Sequence, residues 1–253
     1  MDRVAVTLYS FFFVSLSLGL TAYIIVAGSH AAQKTSWSGA ASIFSTLVGA
    51  SGLLMWNGLA IVLATQREIG THLPFLLFGP PGALALALAL SSDMRELIDA
   101  IPIDWAVGRA IHPARIIVGV LLIAAWYQGL FPAVFALVAG SGEVLAGLLA
   151  LYLRQMILKR RRLPRKTILA WNCFGAATFF IAAAAAALTG YFGAAATALE
   201  QFPFALVPGF LVPIALMAHV VVFRHLILTR DDARAAEFQQ TASADRASDT
   251  QRH

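Results

Sequence analysis

The chain has 253 residues, 59% of them apolar and only 12% charged, and its mean hydropathy is +0.77. A water-soluble domain carries about 25% charged residues, so this composition excludes a soluble globular enzyme and indicates an integral membrane protein. The net charge of +5 does not describe a nucleic-acid surface, because the basic residues sit in loops between apolar runs, where they orient membrane helices.

A helix needs about 20 apolar residues to cross the hydrocarbon core. The first runs of that kind predict spans at about 4–28, 41–65 and 72–90. A polar segment at 91–112 follows. There Asp93, Arg95, Glu96, Asp99 and Asp104 alternate with Leu97, Ile98, Ile101 and Trp105, the pattern of helices lying in the headgroup region, and Pro102 divides them.

The next stretch, 116–153, holds Glu143 as its only charge. As one helix it would be about 57 Å long, nearly twice the hydrocarbon thickness, so it folds into two spans, 113–129 and 132–157. The better turn is Gln128-Gly129-Leu130-Phe131-Pro132, where Gly and Pro together stop one helix and start another; Gly140-Ser141-Gly142 is the alternative. Two more spans follow at about 167–188 and 203–228. Residues 1–229 thus read as one all-α bundle of seven transmembrane helices, and 230–253 as a disordered polar tail.

Charge sets the orientation. The run Lys159-Arg160-Arg161-Arg162-Leu163-Pro164-Arg165-Lys166 belongs in the cytoplasm under the positive-inside rule. Counting outward from it, all 18 Lys and Arg residues except Arg3 and Arg67 fall on the cytoplasmic side, with the N-terminus outside and the C-terminus inside. A signal-peptide reading with Ser29-His30-Ala31 as the cleavage site would invert every later span and expose the basic loop, so the first span is expected to be retained.

Glu143 is the residue least explained by membrane insertion. Ala136, Gly140, Glu143, Gly147 and Ala150 share one helix face, whose small side chains would pack against neighbours and hold the carboxylate inside the bundle. An ionisable group there asks for a partner. A turn near Leu130 places Arg115 level with Glu143, whereas a turn at 140–142 puts Glu143 at the rim, out of reach. A structural ion pair, a substrate or proton site, and a rim carboxylate are the three readings.

The only two asparagines each follow a tryptophan, in Trp56-Asn57 and Trp171-Asn172. A ring beside an amide suits a small polar ligand; equally, each Asn can bond across helices while each Trp anchors at an interface. His219 lies in the last span with Pro208, Gly209 and Pro213, and its own helix offers no second ligand at metal spacing, since His225 lies on another face. No metal or cofactor is expected. No nucleophile–base set or nucleotide loop occurs, so no catalytic residue is assigned and the reading leans away from an enzyme.

Leu73-Pro74-Phe75-Leu76-Leu77 and Phe202-Pro203-Phe204-Ala205-Leu206 open the third and seventh spans. With the Trp-Asn pairs they suggest a 3+1+3 plan that resembles the SWEET sugar transporters in topology, without the PQ-type motif of that family. The resemblance implies an Asn- and Trp-lined pocket and alternating access. The segments Ile101-Pro102-Ile103-Asp104-Trp105, Arg115-Ile116-Ile117-Val118-Gly119, the run from Gly129 to Glu143, and Trp171-Asn172 are similar to a group of uncharacterised bacterial multi-spanning proteins over roughly 70–190. That likeness implies a bacterial inner-membrane location and an acid at position 143; it implies no activity.

Two functions fit. One is binding or translocation of a small molecule by Glu143, Arg115, Trp56, Asn57, Trp171, Asn172 and His219. The other is a non-catalytic assembly or accessory subunit whose polar residues serve helix packing. The expected partners are the lipid bilayer and either a small-molecule substrate or another membrane protein, and not nucleic acid.

Overall fold

The structure, a computed structural model, describes residues 3–66, 69–159, 163–189 and 198–228. The expected tail at 230–253, Arg67, and Arg160 to Arg162 of the basic loop lie outside them. Every regular element among the described residues is helical. These are α1 (Arg3–Ala32), α2 (Gly39–Gln66), α3 (Ile69–Leu90), α4 (Ser92–Asp99), α5 (Ile103–Gly108), α6 (Ile111–Tyr127), α7 (Ala133–Leu158) and α8 (Arg165–Leu188). A 3-10 turn (Ala198–Glu200) and α9 (Val207–Leu228), which opens with a π turn over Val207–Leu211, complete the set.

Among the described residues, six segments are long and apolar enough to cross a membrane: Val4–Ala32, Gly39–Gln66, Ile103–Tyr127, Ala133–Leu158, Arg165–Leu188 and Val207–Leu228. The span expected at 72–90 is the apolar arm of a bent pair, Pro74–Leu90 and Ser92–Asp99, which meet at 111°. The bend has a local cause. Ser91 is extended and its hydroxyl accepts from the Met94 N–H to start α4, while the Arg95 guanidinium donates back to the Leu88 and Ala89 carbonyls that end α3. Large apolar side chains such as Phe11, Phe44, Met55, Leu90 and Leu188 face outward around the bundle, an arrangement that water penalises and lipid accepts.

The polar pair α4–α5 ties the other helices together at one end. Glu96 accepts from the Ser36 backbone N–H and hydroxyl in the α1–α2 loop, and Asp99 forms a bidentate pair with Arg224 of α9 at 2.8 and 2.9 Å. Elsewhere Phe204, before α9, packs on Tyr9 and Phe13 of α1 and on Phe131 of the α6–α7 turn, with ring centroids 4.8 to 5.5 Å apart. Proline immediately precedes α5, α7 and α8, with φ between −62° and −56° and an extended ψ that turns the chain before each helix.

Candidate functional site

The centre is built on the α6–α7 hairpin, the most extensive helix pair in the fold. α6 stops at Tyr127 and α7 begins at Ala133, so the break lies at the Gly129–Pro132 turn and not at Gly140–Gly142. Gly129 has φ +73°, the left-handed conformation that glycine adopts without a Cβ penalty. Along the hairpin the backbones nearly touch. A Cβ on Gly140 would lie 2.8 Å from the Gly119 carbonyl oxygen, and one on Gly147 would lie 2.6 Å from an Ile116 side-chain carbon. The small-residue face read from the sequence is thus what lets α7 close on α6, and that register carries Glu143 to Arg115.

Arg115 and Glu143 form a fork: Nε donates to Oε2 and Nη2 to Oε1, both at 2.8 Å. Both residues are buried, with side-chain exposures of 3% and 9%. Nη2 also donates to the Thr178 hydroxyl at 2.6 Å, and Nη1 donates to the Gly175 carbonyl at 3.1 Å and to His219 Nε2 at 3.0 Å. A guanidinium has five N–H donors, and these contacts use all five. The charge is neutralised by Glu143, and the ring of Phe179 lies 4.3 Å from the guanidinium carbon.

This arrangement sets the state of His219. Arginine can only donate, so Nε2 must accept; the ring proton then sits on Nδ1 and is donated to Asn172 Oδ1 at 2.7 Å. Asn172 returns a bond from Nδ2 to the His219 carbonyl at 3.1 Å. Gly175 makes room: a Cβ there would lie 2.6 Å from His219 Cε1 and 3.2 Å from Arg115 Nη1. A continuous polar chain therefore runs Glu143–Arg115–His219–Asn172 across α7, α6, α9 and α8.

Of the residues singled out in the sequence, Arg115, Glu143, Asn172 and His219 meet directly. Trp171 sits beside them, with its indole N–H on the Ala146 carbonyl at 3.0 Å and its ring 5.7 Å from that of His219. Trp56 and Asn57 are not part of this network. Trp56 donates to the Gly209 carbonyl at 3.0 Å, inside the π turn of α9. Asn57 faces α1, with Nδ2 at 3.4 Å from both Ser17 Oγ and Thr21 Oγ1.

Three participants escape sequence reasoning: Thr178, the Gly175 carbonyl and His112. The His112 ring is buried, 4.4 Å from that of His219 and edge-on to Trp171 at 4.8 Å, and neither ring nitrogen has a hydrogen-bond partner among the described residues. His112 lies at the start of α6, three residues before Arg115, so the i, i+3 spacing was the available signal. A cleft of about 20 Å³, room for one water molecule, reaches Arg115 and Glu143 between Leu20 of α1, Val118 of α6 and Leu211 and Ala215 of α9. The π turn forms part of its wall, and such turns often mark functional positions.

No curated protein and no solved structure matches the chain. A family described as a domain of unknown function, DUF8737, matches residues 71–227, which holds α3 to α9 but for their outermost residues, with the whole Arg115–Glu143 network, and leaves Trp56 and Asn57 outside. More than half of the chain lies in that match, and the protein belongs to this family.

Proposed function

We propose that this is a seven-span protein of a bacterial inner membrane, N-terminus outside and C-terminus in the cytoplasm, whose Arg115–Glu143 centre binds or passes a small polar solute. The observation that carries the reading is the cleft between α1, α6 and α9, which ends on a buried ion pair. Intramembrane ionisable groups that line a cavity are, by default, candidates for a solute or ion path. The cleft has room for one water, so a larger solute requires α9 to swing about its π turn, with Glu143 or His219 releasing Arg115. The polar site comprises Arg115, Glu143, His219, Asn172 and Thr178, with Trp171 and His112 packed against it. The charge asymmetry of the loops and the bent α3–α4 pair support the topology.

A second reading is favoured by a specific fact: every donor of Arg115 is already used, as in a keystone that locks helices in an accessory subunit. Cysteine accessibility separates the two. In a Cys173→Ser background, Ala215→Cys on the cleft wall and Leu145→Cys on the outer face are treated with a membrane-impermeant thiol reagent in reconstituted vesicles. The solute-path reading expects labelling at 215 and none at 145. Protection of both positions rejects a water-reachable centre and leaves the accessory-subunit reading.

A further inference from the structure

Away from the centre, the ends of α1, α5 and α7 gather a cluster around Trp105 in which two arginines, Arg109 and Arg154, face one carboxylate, Asp104. Tyr23 of α1 donates its hydroxyl to the Trp105 carbonyl at 3.3 Å and so seats α5 on α1. One helical turn and three residues further along that face, His30 stacks on the Trp105 ring with centroids 5.0 Å apart and planes 24° apart. Arg109 places its guanidinium carbon 3.9 Å from the same ring centroid. Gly108 brings α5 onto α7 so closely that a Cβ there would lie 2.6 Å from Arg154 Cβ. Arg109, Asp104 and Arg154 all lie within electrostatic range of the Tyr23 hydroxyl.

Two facts mark this cluster as a site. Arg154 Nε, a donor, and His30 Nδ1, a ring nitrogen, are buried atoms without a hydrogen-bond partner among the described residues, an arrangement that costs free energy unless something pairs with them. Moreover, the ion pairs among the described residues are Arg115–Glu143 and Arg224–Asp99, so neither Arg109 nor Arg154 is paired with a carboxylate, Asp104 included. Excess cationic donors beside an indole need a compact anion with several acceptor oxygens.

We propose that the Trp105 cluster binds the phosphate of an anionic lipid headgroup. The assignment to lipid rests on the topology given above, which puts α4 and α5 at the cytoplasmic membrane surface, where basic pockets between helices meet anionic headgroups and indole rings sit at headgroup depth. It does not depend on the Arg115–Glu143 centre being a solute site. Arg109 supplies the exposed charge, Arg154 the recessed donor and His30 a recessed ring nitrogen, while the Trp105 ring holds His30 and Arg109 in place.

The test uses the full-length protein in neutral detergent, titrated separately with phosphatidylglycerol, phosphatidylcholine and inorganic phosphate, with thermal unfolding and native mass spectrometry as readouts. Phosphatidylglycerol is expected to raise Tm and to stay bound, phosphatidylcholine to do neither, and Arg109→Gln to weaken phosphatidylglycerol affinity about fivefold, since each basic residue near an anionic surface contributes about that factor. Arg109→Gln with Arg154→Gln should abolish it, while Arg109→Lys should largely retain it. Arg109 is exposed, so its single variant folds whatever the fate of the double one. Equal stabilisation by phosphatidylcholine, or an undiminished phosphatidylglycerol effect in Arg109→Gln, would overturn the site. Inorganic phosphate acting as well as lipid would overturn the lipid assignment, and a failed accessibility test at position 215 would leave it untouched.

Discussion

Arg115 and Glu143, 28 positions apart, face each other across the α6–α7 hairpin in two parallel hydrogen bonds of 2.8 Å. Taking both charges out of water is costly, and their attraction offsets that cost only while the fork is complete. Removing one partner leaves the other buried and unpaired. Glu143→Gln and Arg115→Gln should each destabilise the protein by about 3–5 kcal/mol, read as a fall in unfolding midpoint in detergent. The double variant Arg115→Met with Glu143→Leu should recover most of that loss while abolishing any solute binding at the centre. If it is as unstable as the single variants, the pair is not the source of their instability.

The glycines at the close approach of α6 and α7 are expected to be far more sensitive than glycines in open positions. Gly140→Ala must displace Ile123, whose side-chain carbon would lie 2.6 Å from the new methyl, as well as the Gly119 carbonyl. Overpacking of this kind costs about 1–3 kcal/mol. Gly49→Ala, with nothing within 4 Å of its Cβ position, should change the unfolding midpoint little. Equal effects at the two positions would remove the close-packing argument.

A double-mutant cycle on Asn172 and His219 should show coupling of about 1–3 kcal/mol, because Asn172→Ala removes the acceptor that holds the His219 ring proton. His219→Gln offers one acceptor and one donor in place of the ring and should be milder than His219→Leu, which leaves Arg115 Nη1 short of a partner. Additive effects would show that the chain of bonds across α8, α9 and α6 is not coupled.

The second ion pair, Arg224–Asp99, provides a contrast. Its side chains are 22% and 29% exposed, so solvent screens it, and Asp99→Asn should cost no more than about 1 kcal/mol and less at high salt. The Glu143→Gln effect, by comparison, should be nearly independent of ionic strength. An Asp99→Asn penalty as large as that of Glu143→Gln would mean that the α4–α9 tie is a principal closure of the fold.

How far the centre was legible in the sequence differs from residue to residue. Glu143 and Arg115 could be paired from numbering once the turn was placed near Leu130, because a tight turn there leaves an antiparallel hairpin one register. Asn172 and His219 were visible as rare polar residues in apolar runs, but their mutual bond was not, since no short loop links α8 to α9. Thr178 gave no sign, and His112 only its i, i+3 spacing to Arg115. Threonine is common in membrane helices, and His112 stands near the polar α4–α5 segment, where a histidine needs no special explanation.

Composition and periodicity determined by themselves that the chain forms long apolar helices and that 116–153 must break into two, and they favoured the turn near Leu130 that carries a carboxylate inward on a small-residue face; the structure chose that turn over 140–142. These follow from local rules: helix rise against membrane thickness, the conformations of Gly and Pro, and the three- and four-residue spacing of one face. Only the tertiary structure decided which polar residues meet. The two Trp-Asn pairs look alike in sequence, yet Trp171-Asn172 joins the Arg115 network while Asn57 turns to Ser17 and Thr21 and Trp56 to the Gly209 carbonyl. Where a side chain points depends on how each helix is rotated about its axis. That rotation is set by the packing of helices distant in sequence, such as α9 against α3 and α2, and no local rule contains it.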